Sequence, residues 1–255
     1  MEVFLYIIIF IIGTFFGSFF TLAVYRIPRK EDILIKHSYC PNCNSKLGFF
    51  DLFPILSYIF LGGKCRYCKS KIRPRYLILE VFTGVAFLIL AIGIKVNISD
   101  IHTIINISFL LLYVSILFII AGIDKESIKI EKSVLVFGFI LELIYIIYQY
   151  TLGNFNVYQY VMYFSICAMI LLLYKFLKAD RVNIYAVQNI WLSLYMIIFS
   201  GIEVYIFTIL ISLIISLIYK NVKKQKENQI PFGFYFCICN IVVIALSNII
   251  GNYVI

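Results

Sequence analysis

The stretch IINISFLLLYVSILFIIAGI, residues 104–123, decides the class of this protein, because its twenty residues include no charged side chain. About twenty apolar residues in a helix cross the ~30 Å hydrocarbon core of a bilayer. Comparable stretches recur along the 255 residues, of which 63% are hydrophobic and only 14% are charged. Soluble domains carry about a quarter charged residues, so a soluble enzyme is excluded. The long uninterrupted runs predict an all-α polytopic membrane protein rather than a β-barrel.

The uncharged runs predict about eight transmembrane helices. No basic residue or cleavage site marks the first run as a removable signal, so we expect it to stay in the protein. Gly13 and Gly17, four residues apart in that run, predict close packing against another helix. The chain then divides into helix 1 (1–25), a hydrophilic domain (26–75) and a seven-helix domain (76–255). The predicted spans are Val3–Val24, Tyr76–Ile94, Ile104–Ile123, Ser133–Gln149, Val157–Tyr174, Ile184–Phe199, Glu203–Tyr219 and Pro231–Ile255.

The basic residues predict the orientation of these spans. Of the 22 Lys and Arg residues, 21 fall in four alternate connecting segments, and the opposite loops contain none. Basic loops stay in the cytoplasm, so we expect both termini outside and the hydrophilic domain inside. Topology and anionic lipid head groups then account for the net charge of +9, and no nucleic acid partner is expected. The four basic segments are 25–75, 124–132, 175–183 and 220–230.

Two C-x-x-C motifs stand in the hydrophilic domain, CPNC at 40–43 and CRYC at 65–68. Four cysteines with this spacing favour a closed, structural tetrahedral zinc site, and nearby cations favour their thiolates. Two disulfides or four free thiols are the alternatives. The cytoplasmic side argues against disulfides because that compartment is reducing. The expected zinc ligands are Cys40, Cys43, Cys65 and Cys68.

Five acidic residues lie in or against spans, where a carboxylate is costly and often functional. Asp124 and Asp180 stand out, because the chain crosses the membrane twice between them and returns both to one side. Two carboxylates that share a proton can activate water and polarise a peptide carbonyl, as in aspartic proteases. Alternatively, they are unrelated interfacial acids that cap helices or pair with cations. The other three are Glu80, Glu142 and Glu203.

Five stretches of the N-terminal third form an ordered set: GSFFTLAVYRIPR (17–29), CPNC (40–43), DLFPILSY (51–58), KCRYC (64–68) and IRPRYLILEVFTG (72–84). In the same order they resemble the motifs GSFLNVVIYRLPR, CPxC, DNIPLLSW, CRYC and ISxRYPLVELLTG. These are motifs of the type IV prepilin leader peptidase family, including its competence and type II secretion members, which the N-terminal third therefore resembles.

The second half matches this family less well. IDKE at 123–126 resembles the first aspartate motif, but Glu131 and Lys132 replace the expected Pro-Asp or Pro-Asn. The second motif, GxGD, is similar only to LKAD at 177–180, which keeps Asp180 and lacks both glycines. Glycines there would let backbone approach the substrate closely.

The resemblance implies a membrane aspartic endopeptidase, with Asp124 and Asp180 as its dyad. Its partners would be type IV prepilin-like precursors, from which it removes a leader peptide at the cytoplasmic face of the membrane. Many members also methylate the new N-terminus with S-adenosylmethionine, and here that activity rests on the resemblance alone. The lost glycines leave a degenerate pilin-binding or assembly partner as an alternative. A solute carrier that uses Glu142 and Asp180 is a further one.

Overall fold

The computed structural model describes residues 2–33, 37–154, 156–177, 183–223 and 230–251. This part of the chain is built from helices, and its β structure is limited to two isolated bridges. The all-α prediction is therefore confirmed. The helices are α1 (Glu2–Arg26), α2 (Leu56–Phe60), α3 (Arg75–Ile94), α4 (Ile101–Ser127), α5 (Lys132–Thr151), α6 (Val157–Leu177), α7 (Ile184–Lys223) and α8 (Phe232–Ile250), with short 3-10 helices at Ile27–Arg29 and Phe49–Asp51.

Seven of these helices are long and apolar enough to cross a membrane, against about eight predicted spans. The difference lies in α7, whose 40 residues contain both the sixth and the seventh predicted span. A straight helix of this length would measure about 60 Å, roughly twice the hydrocarbon thickness. Gly201 breaks it with φ 78° and ψ 166°, and the Tyr205 hydroxyl lies within hydrogen-bonding reach of the Ser193 side chain. The chain therefore turns back at one glycine, where the sequence predicted a loop.

Residues Met1–Ile107 form one compact unit, in which α1 packs along α3. A Cβ atom at Gly13 would lie 2.8 Å from the Cα atom of Gly84. One at Gly17 would lie 2.7 Å from the Cα atom of Glu80. Neither glycine can carry a side chain here, so the predicted close packing of the first span is confirmed.

Residues Ser108–Ile255 form the second compact unit. Its helix α4 is buried around its circumference, including the five consecutive residues 113–117, as expected for a helix enclosed by others. The Tyr113 hydroxyl donates to Oδ1 of Asn240 at 2.8 Å, and Nδ2 of Asn240 donates to Oγ1 of Thr208 at 3.2 Å. These buried hydrogen bonds tie α4, α8 and α7 together. Further buried residues of α4 include Leu110, Ile120, Ile123 and Asp124.

Candidate functional site

The first C-x-x-C motif forms a tight turn. The Cys40 amide donates to the Ser45 carbonyl at 3.0 Å, and the Asn44 amide donates to the Cys40 carbonyl at 2.8 Å. Asn44 has φ 56°, a left-handed conformation that asparagine adopts more readily than most residues. The turn therefore presents the thiols of Cys40 and Cys43 from the same short piece of backbone.

The second motif repeats this backbone. The Cys65 amide donates to the Ser70 carbonyl at 2.9 Å, the Lys69 amide donates to the Cys65 carbonyl at 3.0 Å, and Lys69 has φ 57°. An isolated antiparallel bridge flanks each turn, between Tyr39 and Lys46 and between Lys64 and Lys71. We did not predict this repeat from the sequence. Alignment of CPNCNSK (40–46) with CRYCKSK (65–71) would have indicated it.

The two turns bring their four thiols together. The four Sγ atoms all lie within 4.8 Å of one another, and those of Cys40 and Cys68 are 3.9 Å apart. Zn–S bonds of 2.3 Å in a tetrahedron place sulfur atoms about 3.8 Å apart. All four cysteines are unpaired, so the disulfide alternative is not what the structure contains. The cluster formed by Cys40, Cys43, Cys65 and Cys68 can hold a metal ion.

Hydrogen bonds prepare two of these thiols for ionisation. The side chain and backbone of Ser70 lower the pKa of Cys68 to about 6. Burial opposes ionisation of Cys40, but hydrogen bonds from backbone groups, first that of Cys43, outweigh it and lower the pKa. The Cys68 backbone favours the Cys65 thiolate, yet burial and the neighbouring thiols raise the pKa of Cys65. Because metals bind thiolates, the lowered pKa values of Cys40 and Cys68 favour metal coordination by these two ligands.

Asp124 lies near the end of α4 and is completely buried, with 0% of its surface exposed. Its Oδ2 atom accepts hydrogen bonds from the Phe234 amide at 2.8 Å and from the Tyr185 hydroxyl at 3.0 Å. Phe234 belongs to the first turn of α8, where free amides and the helix dipole favour a negative charge. The carboxyl group is therefore held in one orientation by α7 and α8.

The start of α8 packs tightly against the Asp124 carboxylate. The Gly233 amide donates to the Tyr185 hydroxyl at 3.2 Å, so that hydroxyl connects the start of α8 to the carboxylate. A Cβ atom at Gly233 would lie 3.1 Å from Oδ2 of Asp124. Oδ1 of Asp124 has no hydrogen-bond partner among the described residues. Because buried polar atoms are nearly always partnered, this oxygen is the atom of the site with unused bonding capacity.

The predicted partner, Asp180, lies outside the described residues, so the dyad stays a prediction.

A second acidic residue of the sequence analysis, Glu142, is described, and its side chain is 3% exposed in the middle of α5. Neither of its carboxyl oxygens has a hydrogen-bond partner in the part of the chain that the structure covers. It borders a small cavity, whose lining is Phe109, Tyr113, Leu141, Glu142, Tyr195 and Phe199.

Glu80 has a different environment in the first unit. Its Oε2 atom accepts a hydrogen bond from the Ile55 amide at 2.8 Å, and the Ser18 side chain is within hydrogen-bonding reach. Glu80 therefore binds the segment between the two cysteine turns to α3. The sequence placed Glu80 in or against a span, but its bond to Ile55 could not be predicted.

Comparisons with known proteins agree with these features. A family model described as Bacterial Peptidase A24 N-terminal domain matches residues 11–94, which include all four clustered cysteines and Glu80. A prepilin leader peptidase/N-methyltransferase of Vibrio cholerae is 40% identical over 94 residues, which cover 33% of this chain and 37% of that protein. Over these residues the chain is similar to the prepilin leader peptidase/N-methyltransferases.

Two further similar proteins carry the same printed name. The one of Bacillus subtilis is 35% identical over 130 residues, 51% of this chain and 50% of that protein. The one of Klebsiella pneumoniae is 30% identical over 125 residues, 47% of this chain and 52% of that protein. The chain thus spans about half or less of these curated prepilin peptidases, and the family model does not reach Asp124. No solved structure matches the chain.

Proposed function

We propose that this protein is a membrane aspartic endopeptidase that removes the leader peptide from type IV prepilin-like precursors. The observation that carries the proposal is the buried carboxylate of Asp124, which has Oδ2 fixed by two donors and Oδ1 without a partner among the described residues. Such a group is ready to bind a water molecule or a second carboxyl. The family of the N-terminal region and the printed names of its relatives supply the substrate class.

Asp180 is the second carboxyl in this proposal. It precedes Tyr185 by five residues in the sequence, and the Tyr185 hydroxyl already binds Asp124. One carboxylate takes a proton from water, whose oxygen attacks the scissile carbonyl, while the protonated partner donates a hydrogen bond to the carbonyl oxygen. The tetrahedral intermediate then collapses, the C–N bond breaks, and the new amino terminus takes up a proton.

In this proposal the four-cysteine cluster has a structural role and takes no part in the cleavage reaction. We assign it to zinc, because four thiolates at these spacings suit a tetrahedral ion with no open position. When bound, zinc supplies folding free energy to residues 26–75, which we propose as a separate domain between helix 1 and a seven-helix peptidase domain, 76–255. The ligands would be Cys40, Cys43, Cys65 and Cys68.

The distribution of basic residues supports the cytoplasmic membrane as the location. With 21 of 22 Lys and Arg residues in alternate segments, both termini lie outside, and the cysteine domain and both aspartates lie on the cytoplasmic side. The apolar stalk of a precursor would then lie in lipid beside the spans, with its cleavage junction at Asp124. We also propose methylation of the new N-terminus with S-adenosylmethionine, supported by the printed names of the relatives.

The direct experiment is co-expression of the full chain with a prepilin, followed by mass measurement of the product. Asp124→Asn and Asp180→Asn should each lower cleavage by about 10²-fold or more, the usual contribution of a general acid or base. Asp100→Asn is the matched control, because Asp100 lies just before the other end of α4 and caps it by accepting hydrogen bonds from the His102 amide and the Thr103 hydroxyl. Normal cleavage by either dyad variant would refute the proposal. The product mass also reveals any added methyl group.

A further inference from the structure

A stretch of the cysteine domain is nearly as apolar as the spans. Between Lys46 and Lys64 the single charged residue is Asp51; residues 47–63 are called the apolar segment below. Phe50 is 78% exposed and Phe60 is 82% exposed. Apolar patches of this kind on a protein surface mark a contact with something else. Other exposed members of the segment are Phe49, Leu52, Leu56 and Ile59.

The apolar segment touches α1 far from the end of that helix. The Phe53 ring packs edge-on against the Phe15 ring, with centroids 5.3 Å apart. Phe15 lies eleven residues before Arg26, so it is about 16 Å from that end of α1. The Phe15 side chain is also 41% exposed on the apolar surface of a predicted span. Phe53 therefore continues a surface that faces lipid.

The contact with α3 also lies inside a predicted span rather than at its end. The Ile55 amide donates to Glu80 at 2.8 Å, and Glu80 lies five residues, roughly 8 Å, inside α3 from its start at Arg75. At this level α1 and α3 are in close contact through Gly17. Two independent contacts thus place the apolar segment alongside the membrane-spanning helices rather than beyond their ends.

Most backbone amides of the segment are hydrogen-bonded, which lowers the cost of entering lipid, where an amide without a partner costs several kcal/mol. Its sharpest bend is at Ile55, which has φ 62° and ψ −55° between Pro54 and Leu56. The Leu56 amide donates to the Pro54 carbonyl, and the Ile55 amide, which this bend would leave open, is bound by Glu80. Further amide donors bound within the segment belong to Asp51, Leu52, Ser57, Ile59, Leu61, Gly62 and Gly63.

Its one charge is compensated. Asp51 accepts hydrogen bonds from the Gly48 amide at 3.0 Å and forms an ion pair with Arg66, and its side chain is only 5% exposed. Lys46 and Lys64 stand at the two ends of the segment. Cations at both ends of an apolar stretch suit the phosphate level of a membrane, with the stretch itself below it.

From these contacts we propose that the apolar segment is a re-entrant loop inserted into the hydrocarbon of the bilayer beside α1 and α3. The occupant of its exposed face is lipid acyl chain. The Glu80–Ile55 hydrogen bond is what allows the bent backbone to enter. This inference is independent of the peptidase proposal, because it concerns neither Asp124 nor cleavage.

Tryptophan fluorescence tests the depth of the loop in the full chain. Trp191 is the only tryptophan in the sequence, so a Trp191→Phe background accepts single probes at Phe50→Trp or Phe60→Trp. Tyr67→Trp is the matched control, because Tyr67 is exposed but stands between Arg66 and Cys68 in the second turn. Each protein is reconstituted into vesicles of phosphatidylethanolamine and phosphatidylglycerol with acyl chains brominated at a defined depth.

The probes at 50 and 60 should emit at shorter wavelength than the probe at 67. They should lose most of their intensity to brominated chains and resist aqueous acrylamide. Zinc content equal to that of the parent shows that each variant folds. Quenching of all three probes by acrylamide alone would overturn the proposal. So would a blue shift at 50 and 60 that appears only after a prepilin stalk peptide is added, because the segment would then bind substrate instead of lipid.

Discussion

The buried carboxylates of the two compact units differ in their hydrogen bonding. In the first unit, Glu80 is 9% exposed, and its carboxylate holds the Ile55 amide, with Ser18 close by. In the second unit, Asp124 is fully buried and one of its oxygens has no partner among the described residues. Glu142 lacks a described partner at both oxygens.

This difference in hydrogen bonding distinguishes a carboxylate with a structural role from one that can take part in a reaction. The Glu80 carboxylate is already engaged by the Ile55 amide, and a water molecule or a substrate would compete with this contact, so Glu80 holds the fold together. A carboxylate that is oriented on one side and free on the other can bind a reacting group with little rearrangement. Burial alone therefore does not identify a catalytic acid. The unused oxygen of Asp124, together with its two fixed donors, is the observation on which its proposed catalytic role rests.

The largest expected effect concerns the zinc that we propose for the first unit. Cys65→Ser should reduce bound zinc well below about one ion per chain, because it removes one of the four thiolates on which the ~10–16 kcal/mol binding free energy of a structural site depends. Metal analysis and limited proteolysis of residues 38–73 would measure this. Cys167→Ser, at a buried cysteine of the second unit, is the control and should keep the metal. A folded, metal-free parent protein would contradict the zinc assignment.

A smaller effect tests whether Glu80 is structural. Glu80→Ala leaves the Ile55 amide without an acceptor, which costs about 1–3 kcal/mol for a buried group. Glu80→Gln keeps an acceptor oxygen and should cost less. Protease susceptibility of the apolar segment should therefore rise in the order parent, Gln, Ala. If Glu80→Gln instead abolished prepilin cleavage while the segment stayed protected, Glu80 would belong with Asp124 and the contrast between the units would fail.

The smallest effect concerns the donor that orients Asp124. Tyr185→Phe removes the hydroxyl that binds both Asp124 and the Gly233 amide. The loss of a hydrogen bond worth about 0.5–1.5 kcal/mol should lower kcat by up to about tenfold and leave KM nearly unchanged, since Tyr185 acts through Asp124. Tyr205→Phe, elsewhere on α7, should cleave normally. A rise in KM at constant kcat would assign Tyr185 to substrate binding instead.

The sequence was sufficient where a side chain's own chemistry decides the outcome. Runs without charge predicted the long helices and the loop near Gly201, although α7 joins two predicted spans. The C-x-x-C spacing predicted the four-thiol cluster, and Gly13 and Gly17 predicted the α1–α3 contact. It was insufficient where backbone conformation decides. The bend at Ile55 depends on local φ and ψ values that hydropathy does not report.

Long-range partners were equally hidden from the sequence. Nothing in the periodicity around Asp124 indicates that Tyr185 and the Phe234 amide would bind it, because they come 61 and 110 residues later. The topological argument brought Asp124 and Asp180 to one side of the membrane without setting their separation. That separation stays a prediction, whereas the pocket that receives Asp124 follows from how α4, α7 and α8 pack.

The repeated cysteine turns make this domain modular. CPNCNSK and CRYCKSK have the same backbone hydrogen bonds and a left-handed residue at the same place, so the two seven-residue turns share one backbone conformation. A chimera with two copies of either turn should therefore assemble the same cluster. The metal ligands could then be changed in one turn at a time, for instance by replacing one cysteine with histidine, while the rest of the chain is left unchanged.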